Sequence, residues 1–403
     1  MTTNTVPIVN GNGSPAADIN SDPDRIKFAY WVPNVSGGLV ISKIPQRTKW
    51  DLDSNIKYAQ TAEKVGFEYA LSQIRFMAGY GAEYQHEPVS FSQALLHHTT
   101  KLKLIAALLP GPWNPAVAAK QIASIDNYTN GRVAVNVVSG WFKAEFTSIG
   151  QWWLDHAERY RRSREFIACL KGIWTQDKFS FSGDFYQFHD YTLQPKPVQK
   201  PHPEIFQGGN SIDARENAAT VSDYYFMNGN TLEGFQTQIA DVRARAAREG
   251  RADQVKFAVN GFVIARDTEA EAIRVLQEIQ GKADKDAVEA FGEQVRNAGA
   301  ATADKTGMWA NSKFEDLVQY NDGFKTKLIG TPQQIADRIL LLKSLGVSIL
   351  LTAFLHYDEE VERFGKEVLP LVRKLEAEGR GKDVEYEIKL TGDVYRSKEE
   401  KKA

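Results

Sequence analysis

The segment Phe206–Ser211 combines two glycines with two small polar residues, in the order Phe-Gln-Gly-Gly-Asn-Ser. The pattern predicts a strand that ends at Gly208 and a helix that begins after Ser211. Backbone N–H groups of the turn would then lie next to the positive end of the helix dipole, where a phosphate group can bind. An ordinary capped turn between a strand and a helix fits the same residues, so the segment alone leaves both interpretations open.

A second segment, Trp153–Tyr160, places a histidine, an arginine and a tyrosine at the start of a predicted helix. His156 and Tyr160 are four positions apart and therefore share one helical face, with Arg159 beside them. The two rings point together either into a site or into the packing of the helix, and the spacing does not decide between these.

The other candidate residues lie at or just beyond the carboxyl ends of predicted strands and carry aromatic, amide, hydroxyl or imidazole groups. They are Trp31, Ser72, Gln73, Asn136, Ser139, Asn228, Thr352, Phe354, His356 and Tyr357. The set lacks the two carboxylates of a glycosidase and the His and Asp cluster of a metal site. Such a lining suits a flat cofactor better than it suits hydrolysis, and we predict no metal.

Short apolar runs alternate with helix-patterned segments along most of the chain, which is typical of a parallel sheet covered by helices. The predicted strands are Ile26–Val32, Tyr69–Ser72, Leu102–Leu108, Val133–Val138, Glu204–Gly208, Tyr224–Met227, Phe257–Val263 and Ser348–Thr352. Eight strands predict an α/β fold of the (β/α)8 TIM-barrel type, whose active site lies at the carboxyl ends of the strands. An open doubly wound sheet is the alternative, but the chain has Val-Ser-Gly-Gly-Leu at 35–39 where that fold expects G-x-G-x-x-G.

The chain divides into three predicted parts. Residues 1–25 are polar and are expected to be a disordered tail, residues 26–375 form the barrel, and residues 376–403 form a charged C-terminal tail. Residues 283–328 are too long for a normal connection and are expected to be a mobile lid before the last strand, with Trp309 and Phe314 shielding the site from water.

Composition excludes several classes of function. The 49 Lys and Arg against 51 Asp and Glu give a net charge of -2, and no basic block indicates a nucleic-acid partner. The single cysteine, Cys169, excludes an internal disulfide. No apolar run approaches the length of a membrane span, so we expect no membrane segment and a cytoplasmic protein.

Several motifs in a fixed order carry a resemblance to a known family. They are Pro110-(x)4-Pro115-(x)3-Ala119-(x)-Gln121-(x)3-Ile125-Asp126, Asn130-Gly131-Arg132, Asn136-Val137-Val138-Ser139-Gly140, Asp155-His156-Ala157-Glu158-Arg159-Tyr160 and Gly208-Gly209-Asn210-Ser211. Over residues 26–375 the chain resembles the bacterial-luciferase-like flavin monooxygenases. Their order and spacing are most similar to the two-component alkanesulfonate monooxygenase branch, and the opening Phe28–Gly38 and Gln46–Thr48 most resemble its members that act on dimethyl sulfone.

The resemblance implies reduced FMN (FMNH2) supplied by a separate NAD(P)H-dependent flavin reductase, O2 as co-substrate, and cleavage of a carbon–sulfur bond in a small organosulfur compound. The expected reaction converts dimethyl sulfone to methanesulfinate and formaldehyde in a homo-oligomer, either a dimer or a tetramer. The residues whose positions match the family's flavin site are Ser72, Asn136, Ser139, Tyr160, Gly208, Gly209, Asn210 and Ser211. His156, Arg159 and His356 match its catalytic positions, and Trp31, Trp309 and Phe314 are expected near the substrate or in the lid.

One departure from the alkanesulfonate enzymes bears on the substrate, because they use a lid arginine to hold the anion. Here no arginine occurs between Arg296 and Arg338. Between these two positions the chain offers only Lys305, Lys313, Lys325 and Lys327. A sulfonate needs a bidentate cation, whereas a neutral sulfone does not, so the sequence favours the sulfone unless a lysine replaces the arginine. Alkanesulfonate oxygenation, a deazaflavin-dependent oxidoreductase and a non-catalytic flavin-binding barrel are the alternatives.

Overall fold

The computed structural model describes residues 24–300, 309 and 312–399. The strands are β1 Lys27–Val32, β2 Tyr69–Ser72, β3 Lys103–Leu108, β4 Val133–Val137, β5 Phe179–Ser182, β6 Gln187–Tyr191, β7 Ile205–Gly208, β8 Tyr224–Met227, β9 Lys256–Phe262, β10 Ile264–Ala265, β11 Ile329–Gly330 and β12 Val347–Ala353. Eight of them form a closed parallel barrel in the order β1-β12-β9-β8-β7-β4-β3-β2. The predicted TIM barrel is therefore confirmed, and β5 and β6 form the small antiparallel hairpin outside it.

Helices connect the strands on the outside of the barrel. They are α1 Leu52–Val65, α2 Pro88–His97, α3 Pro115–Tyr128, α4 Lys143–Ser148, α5 His156–Thr175, α6 Ile212–Val221, α7 Leu232–Arg248, α8 Glu269–Gly281, α9 Lys285–Ala300, α10 Phe314–Leu317, α11 Pro332–Ser344, α12 Tyr357–Arg363, α13 Leu369–Ala377 and α14 Val384–Glu399. Local signals set several boundaries: the Asp51 side chain accepts the Ser54 N–H at the start of α1, and Gly66 ends that helix with φ +106°.

The barrel strands are buried on both faces, which explains their continuous apolar sequences. Every residue of β2, β4 and β8 is buried. Large aromatic side chains fill the interior, and the rings of Phe206 and Tyr224 stack at a centroid separation of 4.3 Å. Burial of apolar area at roughly 25 cal/mol per Å² is the main stabilising contribution of such a core.

The insertion before the last barrel strand, predicted as a mobile lid at 283–328, belongs to a longer excursion. The excursion starts earlier than residue 283, because β10 and β11 pair in parallel at its two ends and α8 lies between them. In α9, Val288, Phe291 and Val295 are almost fully buried. This apolar helical face packs the described part of the segment over the mouth of the barrel.

The C-terminal segment, predicted as a charged tail, contains the helix α14. The Arg380 guanidinium pairs with Glu387 of α14 at 2.7 Å and with Asp337 of α11 at 3.1 Å. Glu387 is fully buried, so this ion pair helps to hold α14 against α11. The predicted N-terminal tail falls, apart from residues 24 and 25, outside the described residues. Within the described chain, no helix is both long enough and apolar enough to cross a membrane.

Candidate active site

A large cavity lies at the carboxyl ends of the barrel strands and encloses about 1040 Å³ of empty space, including its open mouth. Its lining comes from the strand ends and from the insertion. The lining residues are Trp31, Val35, Leu71, Gln73, Ile74, Arg75, Ala82, Gln85, Ala107, Asn136, Val138, Ser139, Gly140, Trp141, Tyr160, Gly208, Gly209, Phe226, Asn228, Phe291, Trp309, Tyr320 and Asn321. A mostly apolar cavity of this size at this end of a barrel is the expected place for a cofactor and a small substrate.

Trp31 at the end of β1 is fixed from two sides. Its indole Nε1 donates a hydrogen bond of 2.7 Å to Asn260 Oδ1, and its ring meets Phe226 edge-on at 5.9 Å. The Tyr357 hydroxyl donates to the Trp31 carbonyl at 2.6 Å. The structure thus places Trp31, near the end of the first strand, at the cavity wall with little rotational freedom.

Several polar atoms of the cavity wall are buried without a partner. Asn136 Oδ1, Asn228 Nδ2, Gln73 Nε2 and Arg75 Nη1 have no hydrogen-bond partner among the described residues. An unsatisfied buried polar group costs about 1–3 kcal/mol, so such groups indicate where a polar ligand would complete the bonding. Amide groups beside aromatic walls fit the flat, hydrogen-bonding ring system of a flavin.

The glycine turn after β7 continues the cavity wall toward a helix N-terminus. Gly209 adopts φ +131°, and a Cβ there would lie 2.3 Å from Tyr160 Oη, so the close approach requires glycine. Ser211 caps α6 by accepting the Ala214 N–H at 3.2 Å. The Asn210 Oδ1 atom beside it is buried and unpaired. The backbone N–H groups at the start of α6 fit the phosphate of FMN, whereas Asn210 Oδ1, which can only accept, fits a hydroxyl group of the ligand.

Tyr160 and Ser139 lie where the turn meets the fourth strand. Burial raises the pKa of Tyr160 to about 12, so the phenol stays protonated and can donate a hydrogen bond. The Ser163 hydroxyl donates to Ser139 Oγ at 2.9 Å. Both residues line the cavity together with Asn136, so the structure brings this predicted set together.

The predicted catalytic pair of α5 lies outside the cavity lining. His156 Nε2 is 3.0 Å from Ser211 Oγ and 3.5 Å from Asp213 Oδ2, which turns the imidazole toward the start of α6. Arg159 donates to the carbonyls of Gly140 and Leu154 at 3.0 and 2.7 Å, and burial lowers its pKa to about 10. Arg159 therefore holds a loop, and His156 supports the glycine turn, instead of facing the space where substrate would lie.

Three other predicted residues also lie away from the cavity wall. Ser72 accepts a hydrogen bond from the Ser92 hydroxyl of α2 at 2.9 Å, because alternation along β2 turns Leu71 inward and Ser72 outward. His356 caps α12, and its Nδ1 accepts the Arg47 N–H at 3.2 Å, while burial lowers its pKa. Phe314 begins α10 and is half-buried outside the lining.

Aromatic residues of the insertion cover the cavity. Trp309 is 5% exposed, and its ring lies 5.4 Å from that of Trp141 and 5.6 Å from that of Phe291. The Trp309 indole donates to the Tyr320 carbonyl at 2.8 Å, and the Tyr320 hydroxyl donates to the Tyr80 carbonyl at 2.7 Å. These contacts connect the insertion to the loops that follow β2 and β4, so the cover is tied to the barrel mouth on that side.

Arg75 is a cavity residue that the sequence reasoning missed. Its guanidinium carbon lies 4.4 Å from the Trp141 ring centroid, and burial lowers its pKa. Arg75 is the single charged side chain among the described residues that line the cavity. The expectation of a neutral substrate depended on the absence of a lid arginine. Arg75 nevertheless places a cation at the cavity, from the loop after β2. The signal was the position of Arg75, three residues after a barrel strand.

Within the described residues, no group of three or more His, Cys, Asp or Glu side chains could hold a metal ion.

Comparison with known proteins places the chain in a family. Residues 26–348 match the model of the luciferase-like monooxygenases. The chain is 68% identical to an FMNH2-dependent dimethylsulfone monooxygenase of Pseudomonas putida, covering 88% of this chain and 97% of the relative. It is 63% identical to the enzyme of the same name from Pseudomonas fluorescens strain Pf0-1, covering 88% and 96%. The fold matches a riboflavin lyase structure with a TM-score of 0.75 at 19% identity, over 87% of this chain and 92% of that one. With its barrel, its glycine turn and its covered cavity, this chain belongs to the luciferase-like monooxygenases.

Proposed function

We propose that this protein is the oxygenase of a two-component system that uses reduced FMN and O2 to cleave dimethyl sulfone into methanesulfinate and formaldehyde. The observation that carries the proposal is the 68% identity to a relative named FMNH2-dependent dimethylsulfone monooxygenase, over 97% of the relative's length. The cavity supports it, because its volume, apolar walls and unpaired amides suit a flavin together with a very small substrate.

The reaction balances with one flavin and one O2 per sulfone. One oxygen atom of O2 enters the organic products as a methyl group leaves sulfur and becomes formaldehyde, and the other oxygen atom becomes water. FMNH2 supplies the two electrons and, with O2, the oxygenating chemistry. The sulfur product is methanesulfinic acid, which is an anion at neutral pH.

The protein's part is binding, orientation and exclusion of water. The Asn136 and Asn228 amides would hold the edge of the flavin ring, and the turn Gly208–Ser211 would hold its phosphate. Trp141, Phe291 and Trp309 would keep bulk water from the reacting atoms, because in the presence of water the reduced oxygen can be lost as hydrogen peroxide without oxygenating the substrate. His156 would act through Ser211 as a positioning residue.

The test is product analysis in a reconstituted system. The oxygenase is mixed with a flavin reductase, FMN, NADH and O2, and formaldehyde and methanesulfinate are measured with dimethyl sulfone as substrate. Parallel reactions contain methanesulfonate or a longer alkanesulfonate, and a control omits the oxygenase. We expect formaldehyde and methanesulfinate in equal amounts from the sulfone. Equal turnover of all three substrates would keep the reaction class and refute the narrow assignment.

Alkanesulfonate oxygenation is the second candidate, and Arg75 is the observation that favours it. A cavity cation without a carboxylate in direct contact could accept a sulfonate. The methanesulfonate reaction above decides between the two, because a sulfonate enzyme would prefer that substrate over the sulfone.

The remaining features of the assembly are proposals as well. The electrons come from a separate NAD(P)H-dependent flavin reductase, and the protein works in the cytoplasm as a homo-oligomer, either a dimer or a tetramer. Exposed apolar side chains support contacts between subunits, since Trp152 is 83% and Ile149 45% exposed. Light scattering on the purified protein would measure the subunit number, and a monomer would contradict the proposal.

A further inference from the structure

We propose that Arg75 binds the sulfonyl oxygens of the substrate, and that the cavity consequently holds the anionic sulfinate product more tightly than the neutral sulfone. The inference rests on the proposed function for the identity of these two compounds. It assigns the cation of the site to the loop after β2, whereas the resemblance to the alkanesulfonate enzymes implies an anchoring arginine in the lid.

The geometry leaves the guanidinium group of Arg75 free to bind a ligand on its edge. Aromatic rings surround it: the centroids of Trp141, Phe142 and Tyr80 lie 4.4, 5.6 and 5.8 Å from the guanidinium carbon. Cation–π contacts of this kind stabilise the group without using its N–H donors. Nη1 is buried and has no hydrogen-bond partner among the described residues. A buried, oriented and unpaired cationic donor beside a cavity is a built anion site.

The charges around Arg75 leave its positive charge uncompensated in the cavity. Among the described residues, Glu145 of α4 is the carboxylate whose charge acts on it, and the two groups form no direct ion pair there. Glu145 is 5% exposed, and its Oε1 instead accepts the Phe76 N–H at 2.5 Å. Tyr80 and Tyr320 also face the guanidinium, and burial raises the pKa of both phenols, so they stay neutral. No other formal charge lies among the described lining residues.

The order of affinities follows from the charge of each ligand. Both the sulfone and the sulfinate present two oxygens on sulfur, so both can accept from the same guanidinium edge. Only the sulfinate carries a negative charge, and hydrogen bonds between two charged groups are roughly twice as strong as those between neutral ones. Because the reaction converts the neutral ligand into the anion in place, the product should compete with the substrate.

The experiment measures binding of methanesulfinate and of dimethyl sulfone to the purified, flavin-free protein by calorimetry, and then product inhibition in the reconstituted assay. The variants are Arg75→Gln and Arg75→Lys, with Arg274→Gln as the matched control, because Arg274 lies on the outer helix α8 and its side chain is 67% exposed. Arg75→Met, which keeps an unbranched stem against Trp141, replaces the glutamine variant if that variant does not fold. Oxidised FMN binding is measured for every protein.

We expect wild-type protein to bind methanesulfinate at least tenfold more tightly than dimethyl sulfone. Arg75→Gln should lose at least tenfold in sulfinate affinity and raise the KM for the sulfone, Arg75→Lys should lose less, and FMN affinity should change by less than twofold. Sulfinate affinity unchanged in Arg75→Gln would overturn the proposal. So would a loss of FMN affinity with sulfinate affinity intact, because Arg75 would then serve the cofactor. Arg75-dependent sulfinate binding in a protein that releases no formaldehyde from the sulfone would keep the anion site and refute the proposed function.

Discussion

The phosphate assignment at the start of α6 can be tested with two substitutions at Ser211 that differ only in charge. Ser211 is 1% exposed and caps α6 through its hydroxyl oxygen. Asn and Asp are both good N-cap residues and nearly equal in size, so Ser211→Asn and Ser211→Asp should both preserve the helix start. Ser211→Asp adds a negative charge at the turn where the phosphate of FMN is expected.

The magnitude follows from the charge and the environment. Two unit charges about 5 Å apart interact by about 3 kcal/mol at an effective dielectric constant of 20, and by about 1 kcal/mol in bulk water. Because Ser211 is buried but the turn opens on the cavity, the penalty should lie between these limits. At about 1.4 kcal/mol per factor of ten, Ser211→Asp should bind FMN about 5-fold to 150-fold more weakly than Ser211→Asn.

The assay is quenching of flavin fluorescence, with FMN and riboflavin as paired ligands. Riboflavin lacks the phosphate, so its affinity should differ little between the two variants. Measurements are made at pH 8, above the ordinary pKa of an imidazole, to disfavour a new ion pair between the introduced aspartate and a histidine. Equal FMN affinity in the two variants would refute the phosphate assignment, and so would equal weakening of FMN and riboflavin.

The cover, a buried acid within it and the predicted catalytic histidine provide three more tests. A Cβ on Gly229 would lie 1.9 Å from the Asp322 carbonyl oxygen, so Gly229→Ala should displace the insertion from the end of β8. The variant should form more hydrogen peroxide per NADH consumed, and an unchanged peroxide yield would show that the cover does not exclude water. Burial raises the pKa of Asp322 from 3.8 to about 6. Because the pKa is higher in the folded than in the unfolded state, protonation of Asp322 stabilises the fold, and this stabilisation is lost as the pH rises through about 6. Hydrogen exchange at residues 313–326, corrected for its intrinsic pH dependence, should therefore be faster at pH 7.5 than at pH 5, and Asp322→Asn should abolish the difference; a difference that persists in the variant would assign it to another group. His156→Ala removes the 3.0 Å contact with Ser211 and should weaken FMN binding about 3-fold to 10-fold, the effect of a typical lost hydrogen bond. The amount of sulfone cleaved per O2 consumed should not fall at saturating FMN; a lower ratio would indicate a catalytic role for His156.

Local patterns determined the order and bounds of the elements. Tyr69–Ser72 and Tyr224–Met227 have the bounds that the apolar patterns predict. Such patterns depend on residues close together in the chain, as do the cap at Ser211 and the glycine at 209. The barrel, the family and the region of the site were therefore available from the sequence.

The direction of each side chain at the strand ends was decided only by the tertiary structure. Ser72 is the last residue of β2, at the strand end where site residues are expected. The pleat turns its side chain toward α2 and leaves Leu71 and Gln73 on the cavity side. His156 has the motif of a catalytic residue, but the docking of α5 against α6 directs its ring to Ser211.

The cover and the cation of the site also required the folded chain. Trp31 and Asn260, which are 229 positions apart, form one wall, and Phe291 and Trp309 reach the cavity from an insertion with no local signal of its destination. Arg75 was invisible as a site residue because a charged loop residue is usually solvated, and only the surrounding rings of Tyr80, Trp141 and Phe142 bury it. Periodicity encodes which face of an element is apolar, but which faces meet depends on packing between distant parts of the chain, and that packing places the one charge in the cavity.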